Sequence, residues 1–491
     1  LSILHLVIWI PVVAAAAILL GAPAKRAAMT ASVLNVLLAL CLLALYDPHG
    51  AKFQFVSGFT VFRELDLKYL VGADGLSLMM ILLTAMVTLA AIWMTTSVER
   101  MEKEFFACLM FISAGAMGAF ASIDLFFFYA FHELALIPTF LLIGIWGSGN
   151  RHAAAWKITI YLALGSFILL LGLIGLYQCA PEGSRTFDLR GLQKLASLNL
   201  LSSGNPRIVY LLLLLGFGIL VSLFPFHTWA PQAYASAPAP AAMLHAGVLK
   251  KFGLYGLLRV AMPLLPEQAQ HWTNLLLLLL AGNILYVGLA TIAQKRLDLM
   301  LGYSSVMHMG YIFLGLATLN PLGLNGAALL MFAHGLSIAA LLAVAGQIRE
   351  RTSTMYFSDL GGIARVTPFL GLAFGLAAFA SIGLPGFANF ASEILVLFGA
   401  FKGQPFQTFN FRAATIVALW GVVISAVYML RAYRSTFLGD MNDRWSQVAD
   451  VAHTMRWPLM ILLAGLLVAG FYPQLLLNLI APGLKAASVF K

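Results

Sequence analysis

Charge is scarce in this chain of 491 residues: only 10% are Asp, Glu, Lys or Arg, where soluble domains carry about 25%. Cysteine is nearly absent, and the three present, Cys41, Cys108 and Cys179, form no Cys-x-x-Cys pair. That excludes an iron–sulfur ligand set and a disulfide framework. Also missing are a Gly-rich dinucleotide fingerprint, a Gly-Lys-Ser/Thr phosphate loop and any His/Asp/Glu cluster at metal-ligand spacing. The chain itself is therefore expected to hold no metal and no cofactor, and any redox or nucleotide chemistry belongs to partner chains. What is present is apolar: 61% of residues are hydrophobic and the mean hydropathy is +0.92. A soluble surface cannot be built from such a composition, so soluble enzymes, disordered chains and nucleic-acid-binding modules are excluded. The net charge of +10 is loop charge that orients a chain in a bilayer.

The composition predicts an all-α polytopic membrane protein. A bilayer crossing takes roughly 20 mainly apolar residues. On that template about fourteen runs stand out, at 2–21, 28–46, 76–96, 106–121, 123–146, 157–179, 208–230, 240–264, 272–293, 300–319, 322–347, 366–401, 413–437 and 457–479. The fourth and tenth are short, and the longest polar connections are 47–70 and 180–207. No cleavable leader separates from the first run. Loops after odd-numbered runs gather Lys25, Arg26, Arg100, Lys103, Arg151, Lys157, Lys295, Arg296, Arg349, Arg351, Arg365, Arg431, Arg434, Arg444 and Arg456. This bias places the odd loops in the cytoplasm and both termini on the other side.

Two runs are interrupted. One holds Phe224-Pro225-Phe226-His227 followed by Ala230-Pro231, the other Gly383-Leu384-Pro385-Gly386. Pro225 and Pro385 each remove a backbone donor, so both helices should unwind there, which membranes tolerate only where protein or a wet cavity surrounds the backbone. Breaks five runs apart suggest an internal five-helix repeat.

Ionisable residues inside apolar runs are costly, at roughly 2.5–3.5 kcal/mol each on insertion scales, and so they are informative. Glu133 is a candidate proton-carrying carboxylate, or else a structural acid bonded to a neighbouring helix. Lys250 and Lys251 lie mid-run. Successive helical residues point about 100° apart, so one of the two is expected to face the bundle centre. A buried lysine can exchange its proton, whereas one that snorkels to an interface cannot serve this way. Glu393 follows the second break. Lys157 opens its run and is balanced between relay and snorkelling. His245, His308 and His334 fall in three runs; each alone reads as a packing histidine, and together they could bridge a relay. Asp74 reads as a helix N-cap at the interface.

Several motifs resemble one known family. They are Ala73-Asp74-Gly75-Leu76-Ser77, His132-Glu133-Leu134-Ala135-Leu136-Ile137-Pro138, Phe224-Pro225-Phe226-His227-Thr228-Trp229-Ala230-Pro231, Ser304-Ser305-Val306-Met307-His308-Met309-Gly310, Ala333-His334-Gly335-Leu336, and Leu384-Pro385-Gly386 with Glu393. Together they resemble the proton-translocating antiporter-like subunits of respiratory complex I, which are related to cation/proton antiporter and membrane hydrogenase subunits. The acid at Glu393, where sister subunits carry lysine, is similar to the chain-M (chain-4) type.

The resemblance implies fourteen helices in two inverted five-helix repeats, with a central polar axis. Its implied divisions are 1–105 for the first three helices, 106–264 and 265–437 for the repeats, and 438–491 for the last helix and tail. Carried over by position, Glu133 matches the fifth-helix glutamate, Lys157 a sixth-helix lysine and Lys251 the eighth-helix lysine. His334 matches an eleventh-helix histidine and Glu393 the twelfth-helix acid. The implied function is membrane-arm proton translocation in an NADH–quinone oxidoreductase, with protons entering near Glu133, passing Lys251 and leaving by Glu393. NADH, FMN, iron–sulfur clusters and quinone are then expected on partner subunits, and the setting is a bacterial inner membrane or an equivalent energy-coupling membrane. Alternatives are a subunit of a hydrogenase- or ferredoxin-linked complex, a multisubunit cation/proton antiporter, or a non-pumping structural spacer.

The spacer alternative rests on a departure from the pattern. The family's seventh-helix lysine, seven residues before His227, is Leu220 here. Asp298-Leu299 also replace a usual Lys-Arg pair, and Gln232 and Tyr234 replace a common Asp and His.

Overall fold

The computed structural model describes residues 2–402 and 411–485. Ten of its helices are long and apolar enough to cross a membrane: Ala24–Leu45, Gly75–Met94, Glu102–Ala121, Leu125–Trp146, Arg151–Cys179, Pro266–Ile292, Leu297–Ala317, Pro321–Thr352, Phe411–Phe437 and His453–Phe471. Four further passages are built from shorter pieces. These are Ile3–Leu19, the pair Pro206–Val221 and Trp229–Ser236, the run from Ala239 to Leu264, and the pair Pro368–Ile382 and Ala388–Phe401. In chain order they make fourteen spans, numbered 1 to 14 below. The fourth and tenth, short in the sequence, are full-length helices of 20 and 21 residues.

Both expected breaks are present, and the chain satisfies their freed backbone groups locally. In span 7 the first half ends at Ser222, in the left-handed region at φ 68°. The Phe224 N–H donates to the Asn283 side-chain oxygen at 2.7 Å, and the Asn283 amide donates to Ser222 O at 3.1 Å and Val306 O at 3.0 Å. One buried amide from span 9 thus replaces the lost helical partners, as membrane depth requires. In span 12, Gly383 takes φ 83°. The Gly383 and Leu384 N–H groups bond back to Ala380 O and Phe379 O, a glycine-terminated helix end.

Span 8 departs from regular α-helix in another way. Two π-helical turns, His245–Leu249 and Leu257–Ala261, flank Lys251–Gly256. Each widens the helix and shifts the facing of the residues that follow.

Spans 7 and 12 are five apart, and an odd displacement reverses direction across the bilayer. Span 6 packs along the first half of span 7, and span 11 packs on the second half of span 12. Span 11 is the central element, its apolar stretch fully enclosed by protein.

Three features differ from the sequence expectations. The connection 47–70 is largely an antiparallel hairpin, β1 (Gln54–Phe62) against β2 (Leu67–Ala73), the single sheet among the described residues. The connection 180–207 carries a short helix, Leu189–Ser197. The last apolar run is two helices, because Pro473 starts Pro473–Leu484 as a new helix after Tyr472. That last helix packs across the start of span 3, where a side chain at position 75 would strike the Leu479 carbonyl.

Candidate functional site

The buried ionisable groups meet around span 8. Lys251 is fully buried. Its Nζ donates to Ala246 O at 2.5 Å and lies 2.9 Å from His334 Nδ1 on span 11. Ala246 is available because it lies in the first π-turn, where the ordinary hydrogen-bond ladder is interrupted. Lys250 is buried as well, contrary to the expectation that one lysine alone would face inward. It points another way, with Nζ 3.4 Å from Ser305 Oγ on span 10 and 5.6 Å from the Tyr234 ring centre. The π-turns and the enclosure of span 8 on all sides explain the difference: no lipid-facing side is left for either residue.

His334 continues the line to His308, with ring centres 5.6 Å apart. His308 Nδ1 lies 2.8 Å from Ser304 O, and its Nε2 lies 2.8 Å from Ser381 O. Both partners are carbonyls, which only accept. A neutral imidazole has one N–H to offer and an imidazolium has two, so this setting suits a ring that gains and surrenders a second proton. Ser381 lies in the last turn of the first half of span 12, two residues before Gly383. The Glu393 carboxylate packs against Gly383 in that break, where any side chain would collide with it. Lys251, His334 and His308 therefore form one sequence of neighbours across spans 8, 11 and 10. It reaches span 12 at Ser381, two residues before the Gly383 against which Glu393 packs, and all four ionisable groups are buried.

Glu133 stands apart. Its side chain is 34% exposed on the outer wall of span 5. Ser166 on span 6 donates a short hydrogen bond to it, and His132 Nδ1 lies 3.5 Å away. His132 stacks on Phe252 of span 8 at 4.0 Å. Leu220, where the family pattern calls for lysine, is buried against Gly165, next to Ser166. The hydrogen-bond partner of Glu133 is thus a serine hydroxyl on span 6. Lys157 is not enclosed and bonds to exposed Gln232 at 3.1 Å, on the outer side of the bundle. His245 lies in the first π-turn and its Nδ1 is 3.2 Å from the Tyr234 hydroxyl.

Three groups were not singled out by sequence. Asn283 holds the span 7 break, and no local pattern distinguishes it from any polar residue in a span. Ser166 partners Glu133. Arg259, eight residues after Lys251 on the same apolar span, pairs with Asp74 in full burial; an arginine inside a span was itself the available signal. Asp74 does cap span 3, accepting from Ser77 N at 3.0 Å, and in addition neutralises Arg259. Ser77 Oγ joins that pair to the Tyr255 hydroxyl at 2.8 Å. Lys52, in the loop above, feels both the burial and the Arg259 charge, and its pKa falls to about 8. Asp298, at the departure from the usual Lys-Arg pair, is held between Arg296 at 2.7 Å and Arg349 at 2.5 Å.

Comparison with known proteins agrees with this architecture. The family model described as NADH:quinone oxidoreductase/Mrp antiporter, transmembrane, matches residues 122–418. The NADH-quinone oxidoreductase subunit M of Rickettsia prowazekii is 34% identical over 85% of this chain and 82% of its own length. An NAD(P)H-quinone oxidoreductase chain 4 of Synechococcus elongatus is 37% identical over 88% and 80%. Among solved structures, a chain of respiratory complex I from Thermus thermophilus with bound NADH superposes with a TM-score of 0.88, at 28% identity over 99% of this chain and 98% of that one. The chain belongs to the NADH:quinone oxidoreductase/Mrp antiporter transmembrane family.

Proposed function

We propose that this chain is a proton-translocating membrane-arm subunit of an NADH–quinone oxidoreductase. Lys251, His334, His308 and Glu393 form its relay, and no redox centre resides in the chain. The observation that carries the reading is the contact sequence Lys251–His334–His308, which reaches span 12 at Ser381 O, beside the break where Glu393 packs on Gly383. Each group is enclosed, so a proton arriving on one changes the local field felt by the next with little screening by water. Lys251 is the switch point. Its two neighbours in contact, a carbonyl and an imidazole, carry no permanent charge, so its ammonium form depends on the occupancy of the groups around it.

Electron transfer in partner subunits supplies the energy, and NADH, FMN, iron–sulfur clusters and quinone are assigned to those subunits. Relatives bearing the names of NADH-quinone oxidoreductase subunits support this assignment. The odd loops lie in the cytoplasm and both termini on the opposite side of a bacterial inner, or equivalent, membrane, on the strength of the basic loop residues.

Two experiments test the reading. Purification through a tag on this chain, followed by mass spectrometry, should recover flavin- and NADH-binding subunits; hydrogenase or ferredoxin-linked subunits in their place would contradict it. In the assembled complex, Lys251→Ala and Glu393→Gln should each lower proton pumping sharply. Unimpaired pumping in both would remove the relay.

A further inference from the structure

We propose that protons are taken up through a vestibule that ends at Tyr234, with the Tyr234 hydroxyl and His245 as the first two proton-carrying groups, and that Glu133 is not the entrance. This rests on the relay reading above and replaces its expected starting point.

The vestibule is a cavity of about 430 Å³ whose wall includes Thr95, Arg100, Ser148, Pro238, Asp298 and Arg349, with Tyr234 among its lining residues. These residues come from the ends of spans 3, 5, 7 and 11 and the start of span 10, so the cavity opens on the odd-loop face. Neither Glu133 nor Lys157 lines it. Tyr234 is 2% exposed, and its hydroxyl is 3.2 Å from His245 Nδ1. Lys250 Nζ lies 5.6 Å from the centre of its ring. Tyr234 thus lines the cavity, contacts the histidine of span 8 and lies beside Lys250.

Asp298 also lines the cavity and is tied to two arginines. Arg296 donates to both its oxygens, at 3.1 and 2.7 Å, and Arg349 to one of them. Arg349 in turn bonds Ala235 O at 2.8 Å, beside Tyr234. The Asp298–arginine cluster therefore braces the rim and positions the segment that carries Tyr234.

The transfer balances without ionising the phenol. A hydronium ion in the vestibule gives a proton to the Tyr234 oxygen as the phenol's own proton passes to His245 Nδ1. The hydronium O–H and the original phenol O–H break, a new phenol O–H and an imidazole N–H form, water is left behind, and neutral imidazole becomes imidazolium. His245 is within electrostatic reach of Lys250, His132 and Lys251, so the charge it gains bears on the lysine pair and, through His132, on Glu133. An uptake route here also accounts for Leu220. With the entrance on the vestibule side, no cation is needed in the first half of span 7.

The test uses the assembled complex in proteoliposomes, measuring protons translocated per NADH oxidised together with the oxidation rate under uncoupler. Tyr234→Phe keeps the ring and removes only the hydroxyl. It should lower the ratio several-fold while uncoupled oxidation persists, and Tyr234→His should restore it. Wild-type pumping in Tyr234→Phe, with pumping lost in Lys251→Ala, overturns the entrance and leaves the relay standing. Wild-type pumping in both overturns the relay and the entrance with it. A second measurement does not touch the phenol. Ala239→Cys, on the cavity wall, should be modified by a charged thiol reagent applied from the odd-loop face, and modification should block pumping. Modification without loss of pumping contradicts the proposal.

Discussion

Glu133 and Lys251 are each an ionisable group placed in a hydrophobic span, yet their surroundings differ. Glu133 keeps 34% of its side chain exposed and has one short hydrogen bond from Ser166. Lys251 has no exposure and is held by a carbonyl and an imidazole, with a second histidine behind the first. Burial accounts for the contrast: a fully enclosed charge must be compensated on every side, while a partly exposed one can be served by water or by a neighbouring surface. Spans 8, 10, 11 and 12 enclose a line of ionisable groups, and spans 5, 6 and the first half of span 7, with Leu220 in place of a cation, do not. Glu133 thus stands outside that line and approaches span 8 through His132, which stacks on Phe252.

The largest effect that would break this contrast lies at the edge of the relay. Asp74→Ala strands Arg259 in full burial, and losing one partner of such a pair costs about 3–5 kcal/mol. We expect a large loss of assembled protein, read by native gel and thermal unfolding in detergent; unchanged stability would show that the pair is not enclosed. Next, His334→Leu removes the side-chain partner of Lys251 and leaves a buried donor unmet, at about 1–3 kcal/mol. Pumping should fall more than stability does, which separates a conducting histidine from a packing one.

Ser166→Ala sharpens the contrast from the other half. Glu133 is partly exposed, so the cost should stay near 1 kcal/mol. It should shrink further in a Leu220→Lys background, where an ammonium group can reach the same carboxylate. A double-mutant cycle with no coupling would show that position 220 does not address Glu133.

The smallest effect is one of pH. Lys52, lowered to about 8, binds its proton more weakly folded than unfolded. Below about 8 both states are protonated and the penalty is fully present; as pH rises from there toward the ordinary lysine value, the unfolded state holds more protons and stability rises. Lys52→Gln should flatten that rise in a thermal-unfolding series, and an identical slope in the variant would exclude Lys52 as its source.

Much of this was legible in the sequence, because lipid forces a regular code. Apolar length located the spans, and proline with glycine located both breaks. What was not legible depends on contacts between distant elements. Lys250 and Lys251 point to different neighbours, as successive helical residues do, and both are buried because span 8 is enclosed on all sides, which the hydrophobic pattern of one chain segment does not record. Asn283 and Ser166 became functional neighbours only once spans 9 and 6 were packed on their partners. The hairpin lay hidden in a polar connection without clear alternation. The split after Tyr472 could have been read from Pro473. Lys157, balanced between relay and surface on sequence grounds, lies on the outer side because span 6 is an edge helix whose apolar stretch is mostly uncovered by protein.

The most direct measurement is the number of protons translocated per NADH oxidised by the assembled complex carrying Lys251→Ala, compared with the same complex carrying Lys157→Ala. A ratio that falls in the first and holds in the second is the result this account predicts. Equal ratios in the two variants, both at the wild-type value, would contradict it.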